Sequence, residues 1–436
     1  MADQTYRNII IVGASTAGHT LANDLVPILP EGYRILLIDA LEYSYFPQAS
    51  LRAAIVPGWE EKIVLPLKTS TCFPQGTNHR VIAPTRVTQL KKNSVVLEKP
   101  FEGSTEVPFF KAVIATGATQ PSPMRPSLNW TSQQEYMKAL RKSQEEIKKC
   151  ESLVIIGGGT VGVEFAGEVR ASYPDKPITI IHNRSTLLTP LTEPRPSGGL
   201  DEKIPESWTS PPINLKLANT VASMAKSQKV NLILNDKAII PQRKPNDDGI
   251  EIRTIDGYEW DGSFGLQPAL CNICTENREI VKGDYVFLSI GNKPNSGLIV
   301  NSDGNAVEKS TGLIRVDQRL KIKASILSDA NYYAIGDVSN APGMKIAYLA
   351  LIQAKSAATN IVNEINHTPL AAYNPGMFGG LFVAFGPDMG AGYVTIPYLG
   401  TWALGSGIVR TAKGKKLLLD KWGPFRKGEE RVNILI

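Results

Sequence analysis

Between Leu153 and Val169 the chain reads LVIIGGGTVGVEFAGEV. A short apolar run, Leu153 to Ile156, meets Gly157-Gly158-Gly159 and then Gly162, after which apolar residues recur with helical spacing around Glu164. This is G-x-G-x-x-G at a strand-to-helix junction, the context that gives the motif its meaning. Gly157 permits the tight turn, Gly159 lets backbone approach a pyrophosphate, and Gly162 lets the helix pack on the strand. The open N–H groups of the helix start then hold anionic phosphates. A chain built on this unit is an α/β protein with parallel strands.

The unit is not alone. Asn8–Asn23 is a β-branched run followed by Gly13-Ala14-Ser15-Thr16-Ala17-Gly18 and a helical pattern, with Ser15 at the middle glycine's position. Ser15 and Ala17 are small enough to admit a second pyrophosphate. The next strand, Arg34–Ile38, ends at Asp39, a carboxylate placed for an adenosine ribose. Phe109–Gly117 is a buried strand ending in Ala115-Thr116-Gly117, and Asp284–Asn295 a strand closing on Gly291 and Pro294. Tyr332–Val338 ends in Gly336-Asp337, a carboxylate suited to a polyol hydroxyl. Met344–Val362 reads as a long helix whose positive N-terminal end suits a group that accumulates negative charge. After Val169, the strand Ile178–Ile181 runs into His182-Asn183-Arg184 with no acid at the ribose position. A missing acid beside an arginine fits the 2′-phosphate of NADPH, and an arginine on an open turn fits solvent equally well.

Two dinucleotide folds in one chain imply two nucleotides face to face, most economically a resident FAD and a visiting NAD(P)H. The expected architecture is therefore two Rossmann-like domains, the FAD domain interrupted by the NAD(P)H domain, with a small C-terminal α+β domain. The expected boundaries are 1–125 and 311–370 for the FAD domain, 126–310 for the NAD(P)H domain and 371–436 for the C-terminal part. Gln133–Lys149 and Leu217–Lys229 read as helices. Thr189–Ile213, with six prolines, and Asp256–Lys282 read as surface insertions.

Composition excludes other classes. With 42% hydrophobic and 20% charged residues the chain is globular rather than disordered. No apolar run approaches the length of a membrane span. The start MADQTYRN is expected to carry neither a cleavable signal nor a myristoylation site. Four cysteines in 436 residues fit a reducing compartment, and the four histidines offer no metal-ligand spacing, so no metal is expected. Cys271 and Cys274 form a CxxC in the second insertion, remote from the cofactor turns. The net charge is +6, and the segment from Thr401 onward, with eight Lys/Arg against three acids, carries most of it. That tail, with Trp402, Trp422 and Phe425, reads as solvated C-terminal strands and is also compatible with peripheral contact with an anionic membrane; no sequence-specific nucleic-acid binding is expected. The expected location is cytoplasmic, with a peripheral membrane or mitochondria-associated position compatible.

The chain also resembles a known family. GGGTVGVEFAGEV at Gly157–Val169, ATG at Ala115–Gly117, YAIGD at Tyr333–Asp337 and MKIAYLALIQA at Met344–Ala354 are similar to the two-dinucleotide-binding-domain flavoproteins. With Ser50–Ala53, Pro369–Gly376 and Val409–Gly414, they point to the apoptosis-inducing-factor-like branch that includes ferroptosis suppressor protein. The resemblance implies an FAD-dependent NAD(P)H oxidoreductase that passes a hydride to the flavin N5 and electrons on, typically to quinones. It implies FAD contacts from Gly13, Ser15, Ala17, Gly18, Asp39, Arg52, Thr116, Gly117 and Asp337. Gly157, Gly159, Gly162, His182, Arg184 and Gly291 would line the nicotinamide nucleotide site. Glu164 would lie near the nicotinamide as a proton-handling or orienting group, and Lys345 near the flavin pyrimidine edge. The same two domains also serve a tailoring oxidase or monooxygenase, or a redox-sensing flavoprotein that holds NAD(P)H in a long-lived complex. A disulfide reductase is disfavoured by the place of the CxxC.

Overall fold

The computed structural model describes residues 6–122, 124–188, 213–241, 258–290, 293–327, 331–375, 379–396, 398–417 and 419. Its first sheet is parallel throughout, in the order Tyr332–Ala334, Lys111–Ile114, Arg7–Val12, Tyr33–Ile38, Arg80–Ile82. Ile9, Ile10, Ile11 and Ile35 to Ile38 are fully buried, as strands covered on both faces must be. The helices Thr16–Leu25 and Ala347–Ile365 pack against one another beside this sheet. A strand from late in the chain thus completes a sheet begun at its start.

The interruption is a second doubly wound unit. Its six strands run Val230–Leu234, Ile178–His182, Leu153–Ile156, Ile280–Leu288, Gly265–Cys274, Tyr258–Glu259. Leu153–Ile156 lies parallel to both neighbours, and the helix Thr160–Ser172 follows it. The helix Gln133–Lys149 leads in, started by a capping box between Ser132 and Glu135. Between the two units, Ala118–Thr119 pairs antiparallel with Lys293–Pro294, and Thr116 and Asn295 exchange hydrogen bonds at 2.8 and 2.9 Å.

Three expectations need correction. Residues 258–282 are largely strand rather than loop: Gly265–Cys274 folds back antiparallel on Ile280–Leu288 as a hairpin next to the sheet's edge strand. The bulge between Leu266 and Cys271 holds Pro268, and it breaks the alternation by which a strand is read. Within this hairpin Cys271 is buried and Cys274 exposed. The late helix begins at Ala347 rather than Met344, because Ile346 is extended and Lys345 folds its ammonium back onto the carbonyls of Ser339 and Ala341. The helix expected at Leu217–Lys229 spans Leu215–Ser227. Residues 189–212, most of the first insertion, lie outside the described residues.

The C-terminal part is a three-stranded antiparallel sheet, Gly379–Phe385, Met389–Ile396 and Gly400–Leu404, followed by the turns Ser406–Val409 and Arg410–Gly414. It packs on the helix Thr160–Ser172 at Gly167, where a Cβ would stand 2.5 Å from Phe385 Cα.

Candidate functional site

Both glycine-rich turns take the geometry that their residues require. Gly13 has φ +103°, and a Cβ there would lie 2.5 Å from the carbonyl oxygen of Ala115. Gly157 has φ +111°, with Ser289 O at 2.3 Å from the same imagined atom. At Gly18 and Gly162 a Cβ would fall 1.9 and 2.1 Å from the carbonyl oxygen of the first glycine of the same turn, so both serve helix packing. Gly159 differs, since a Cβ there meets nothing within 4 Å; its missing side chain leaves room for a ligand. Ser15 and Gly159 are the N-caps of the two helices, and neither makes a side-chain cap. The first-turn N–H groups of both helices are left to accept an anion.

A cavity of about 660 Å³ opens at the first turn, a size typical of a cofactor site. Gly13, Ser15 and Ala17 line it on one side, with Asp39, Thr116 and Gly117. Asp337, Lys345 and Glu164 complete the lining from other parts of the chain. Asp39 accepts the N–H groups of Ala14 at 2.6 Å and Leu41 at 2.9 Å, which fixes its carboxylate at the strand end.

Other expected residues lie elsewhere. Gly18 is beneath the turn. Gly157, Gly159, Gly162, His182 and Arg184 cluster at the second turn, which among the described residues meets the cavity through Thr160, Val161 and Glu164. His182 is buried, and its Nδ1 accepts Gly158 N–H at 3.1 Å. Burial, and then Arg184, push its imidazole below the ordinary value, which keeps that nitrogen an acceptor. Arg184 is exposed. Gly291 lies outside the described residues.

Arg52 does not reach the cavity. Its guanidinium forms a fork on Glu168 at 2.7 and 2.8 Å, and donates to the carbonyls of Gly414 at 2.7 Å and Lys415 at 2.8 Å. Both partners of this ion pair are buried, at 4% and 5% side-chain exposure. Burial lifts the Glu168 carboxyl above the usual range despite the arginine. One turn earlier on the same helix, Glu164 pairs with Lys413 at 2.5 Å. Ala384 N–H donates to the same oxygen, Oε1, at 3.2 Å, and Lys413 also donates to Phe382 O at 3.2 Å.

Among the cavity residues that the sequence reading did not single out are Arg125 and Lys413. Arg125 ion-pairs with Asp337 at 3.1 Å. Burial disfavours its charge, yet Tyr45 and Asp337 hold it above the usual guanidinium value. It stands alone in a proline-rich stretch, SPMRPS, with no periodic signal to mark it. Lys413 hides in a basic tail; the only hint is the neighbouring Gly414, where a Cβ would strike Pro387 O at 2.6 Å.

The residues fit FAD. Among the described residues, Arg125 Nε and Gln48 Oε1 are buried without hydrogen-bond partners, and both side chains line the cavity. A polar ligand is what such atoms require. The open helix start and the strand-end carboxylate Asp39 suit a pyrophosphate and a ribose in turn.

A family model described as pyridine nucleotide-disulphide oxidoreductase matches residues 7–355. Human ferroptosis suppressor protein 1 is 26% identical over 421 residues, covering 96% of each chain. Apoptosis-inducing factor homolog A of Dictyostelium discoideum is 26% identical, covering 95% of this chain and 91% of its own. Among solved structures, the sulfide:quinone oxidoreductase of Aquifex aeolicus superposes with a TM-score of 0.66 at 15% identity, covering 97% of this chain and 92% of that one.

Proposed function

Because the chain belongs to the pyridine nucleotide-disulphide oxidoreductase family, and is thereby an FAD-dependent NAD(P)H oxidoreductase, we propose that it delivers its electrons to a quinone. The observation that carries the two-nucleotide reading is the cavity itself, which runs from the first glycine-rich turn to Glu164 on the helix of the second. Bound FAD supplies the chemistry, accepting a hydride from the reduced nicotinamide and passing electrons on.

The protein's part is to bind, orient and balance charge. The N–H groups at Ser15 to Ala17 would hold the FAD pyrophosphate, Asp39 the adenosine ribose, and Asp337 with Arg125 the polyol chain. Thr116 and Gly117 form a backbone floor beneath. The second turn, Gly157 to Gly162, would hold the pyrophosphate of NAD(P)H, and Glu164 would receive the nicotinamide end. Lys345 lines the same cavity with its ammonium anchored on Ser339 O and Ala341 O, a fixed positive charge where reduction adds negative charge.

Two features favour a quinone over a disulfide. None of the four cysteines lines the cavity, and burial pushes the thiols of Cys150 and Cys271 up to about 12 and about 11, which makes them poor nucleophiles. The C-terminal hairpin also exposes Tyr398, Leu399 and Trp402 at 98%, 66% and 58%, and Arg410, Lys415 and Lys416, which follow it in the chain, are exposed as well. Aromatic and basic residues together suit a peripheral position on an anionic membrane, where a lipid quinone partitions. The described residues contain no helix long and apolar enough to cross one. Steady-state turnover with NADH or NADPH against a short-chain quinone, a disulfide and oxygen tests the acceptor. Turnover with the quinone well above the other two is expected. Rapid oxygen consumption with an organic substrate would replace this reading with a tailoring oxidase.

A further inference from the structure

Four charged groups from three parts of the chain meet on one face of the helix Thr160–Ser172. Glu164 and Glu168 are one turn apart and therefore adjacent on that face. Lys413 takes the first and Arg52 the second. The two pairs are linked, because Arg52 also holds the carbonyls of Gly414 and Lys415, the two residues that follow Lys413. The backbone that carries Lys413 is thus clamped by an arginine from the first dinucleotide fold, while the ammonium reaches a carboxylate of the second.

Glu164 is the acid that this arrangement serves. It lines the cavity with only 13% of its side chain exposed. Both of its donors, the Lys413 ammonium and Ala384 N–H, converge on Oε1; among the described residues Oε2 receives none. A carboxylate held by one oxygen presents the other in a fixed direction. An ion-paired acid acts as an acceptor, and the donor at the nicotinamide end is the carboxamide NH₂. We propose that Lys413 is a positioning residue: it fixes Glu164 so that Oε2 accepts the nicotinamide carboxamide, and Arg52 fixes Lys413. This rests on the placement of Glu164 at the nicotinamide end and selects orientation, rather than proton handling, as its task.

The test compares Lys413→Met, Lys413→Arg, Glu164→Gln and the double variant Glu164→Gln/Lys413→Met, purified as holoenzymes. Each is measured for bound FAD, thermal midpoint, affinity for the non-reacting oxidised nucleotide NAD⁺ by perturbation of the flavin spectrum, and the KM and kcat for NAD(P)H. Lys413→Met is expected to weaken nucleotide binding about tenfold or more, the scale of one charge-assisted hydrogen bond. FAD content should stay at the wild-type value, the thermal midpoint should fall because Glu164 loses its cation, and KM should change more than kcat. Lys413→Arg restores binding, and the double variant is no worse than Glu164→Gln, since both remove one interaction. An impaired Glu164→Gln beside a silent Lys413→Met would overturn the inference alone. Additive losses in the double variant, or a Lys413→Met defect confined to stability, would do the same. A silent Glu164→Gln would remove the underlying placement of Glu164 as well.

Discussion

Replacing Arg52 by Met strands a charge in the interior. Glu168, at 5% side-chain exposure, loses both hydrogen bonds of the fork, and the carbonyls of Gly414 and Lys415 lose a donor each. Leaving one member of a buried ion pair unpaired costs about 3–5 kcal/mol. The protein can relieve this cost by protonating Glu168. Burial already holds that carboxyl above its usual range while Arg52 pulls it down; without the arginine it moves further up. An acid whose folded value lies above its unfolded one binds protons more tightly when folded, so it favours folding at low pH and loses that support as pH rises through the folded value. The deficit of Arg52→Met relative to wild type is therefore smallest in acid, where Glu168 is protonated in both proteins, and grows as pH rises from the wild-type folded value toward the variant's higher one. Thermal midpoints across that range, at fixed saturating FAD, measure it. Arg52→Met/Glu168→Leu, which removes both charges, should recover most of the loss at neutral pH. A deficit independent of pH, or a double variant as unstable as the single, would refute the reasoning.

The other sites make separate predictions. Arg125→Gln should weaken FAD binding about 10- to 100-fold, the worth of one charge-assisted contact, read as flavin fluorescence on titrating apoprotein; unchanged affinity would remove Arg125 from the FAD site. If Arg184 takes the 2′-phosphate, Arg184→Ala lowers kcat/KM for NADPH about tenfold or more and leaves NADH unchanged. Equal effects on the two coenzymes would place Arg184 in solvent. Sedimentation with anionic phospholipid vesicles should fall in Tyr398→Ser/Trp402→Ser and in high salt; a wild-type protein that never sediments would end the membrane proposal.

What the sequence reveals here is what the backbone itself demands. Gly13 and Gly157 are legible because a positive φ and a carbonyl at 2.5 or 2.3 Å leave no other residue a place. Ile9 to Ile11 and Leu153 to Ile156 are legible because a buried parallel strand must be apolar on both faces. The edge hairpin after Tyr258 is not, since one face meets solvent and a bulge breaks its period. The helix start at Ala347 is set by Lys345 turning back on Ser339 O, a tertiary event invisible to helical spacing. Arg52 shows the limit of resemblance: the motif places the arginine beside the cofactor turns, but Glu168 captures it. Arg125 and Lys413 are fixed by partners far along the chain, Asp337 and Glu164, and no local pattern encodes such distant pairs.

The central claim is that two nucleotide sites open into one cleft and relay electrons outward to a quinone. Anaerobic rapid mixing of the purified holoenzyme with NADH or NADPH, followed by a short-chain quinone, tests it most directly. Fast bleaching of the flavin absorbance, then its return at a rate proportional to quinone, is the predicted result. A slowly formed charge-transfer band that persists in the presence of quinone would contradict it, and would point to a flavoprotein that senses NAD(P)H instead.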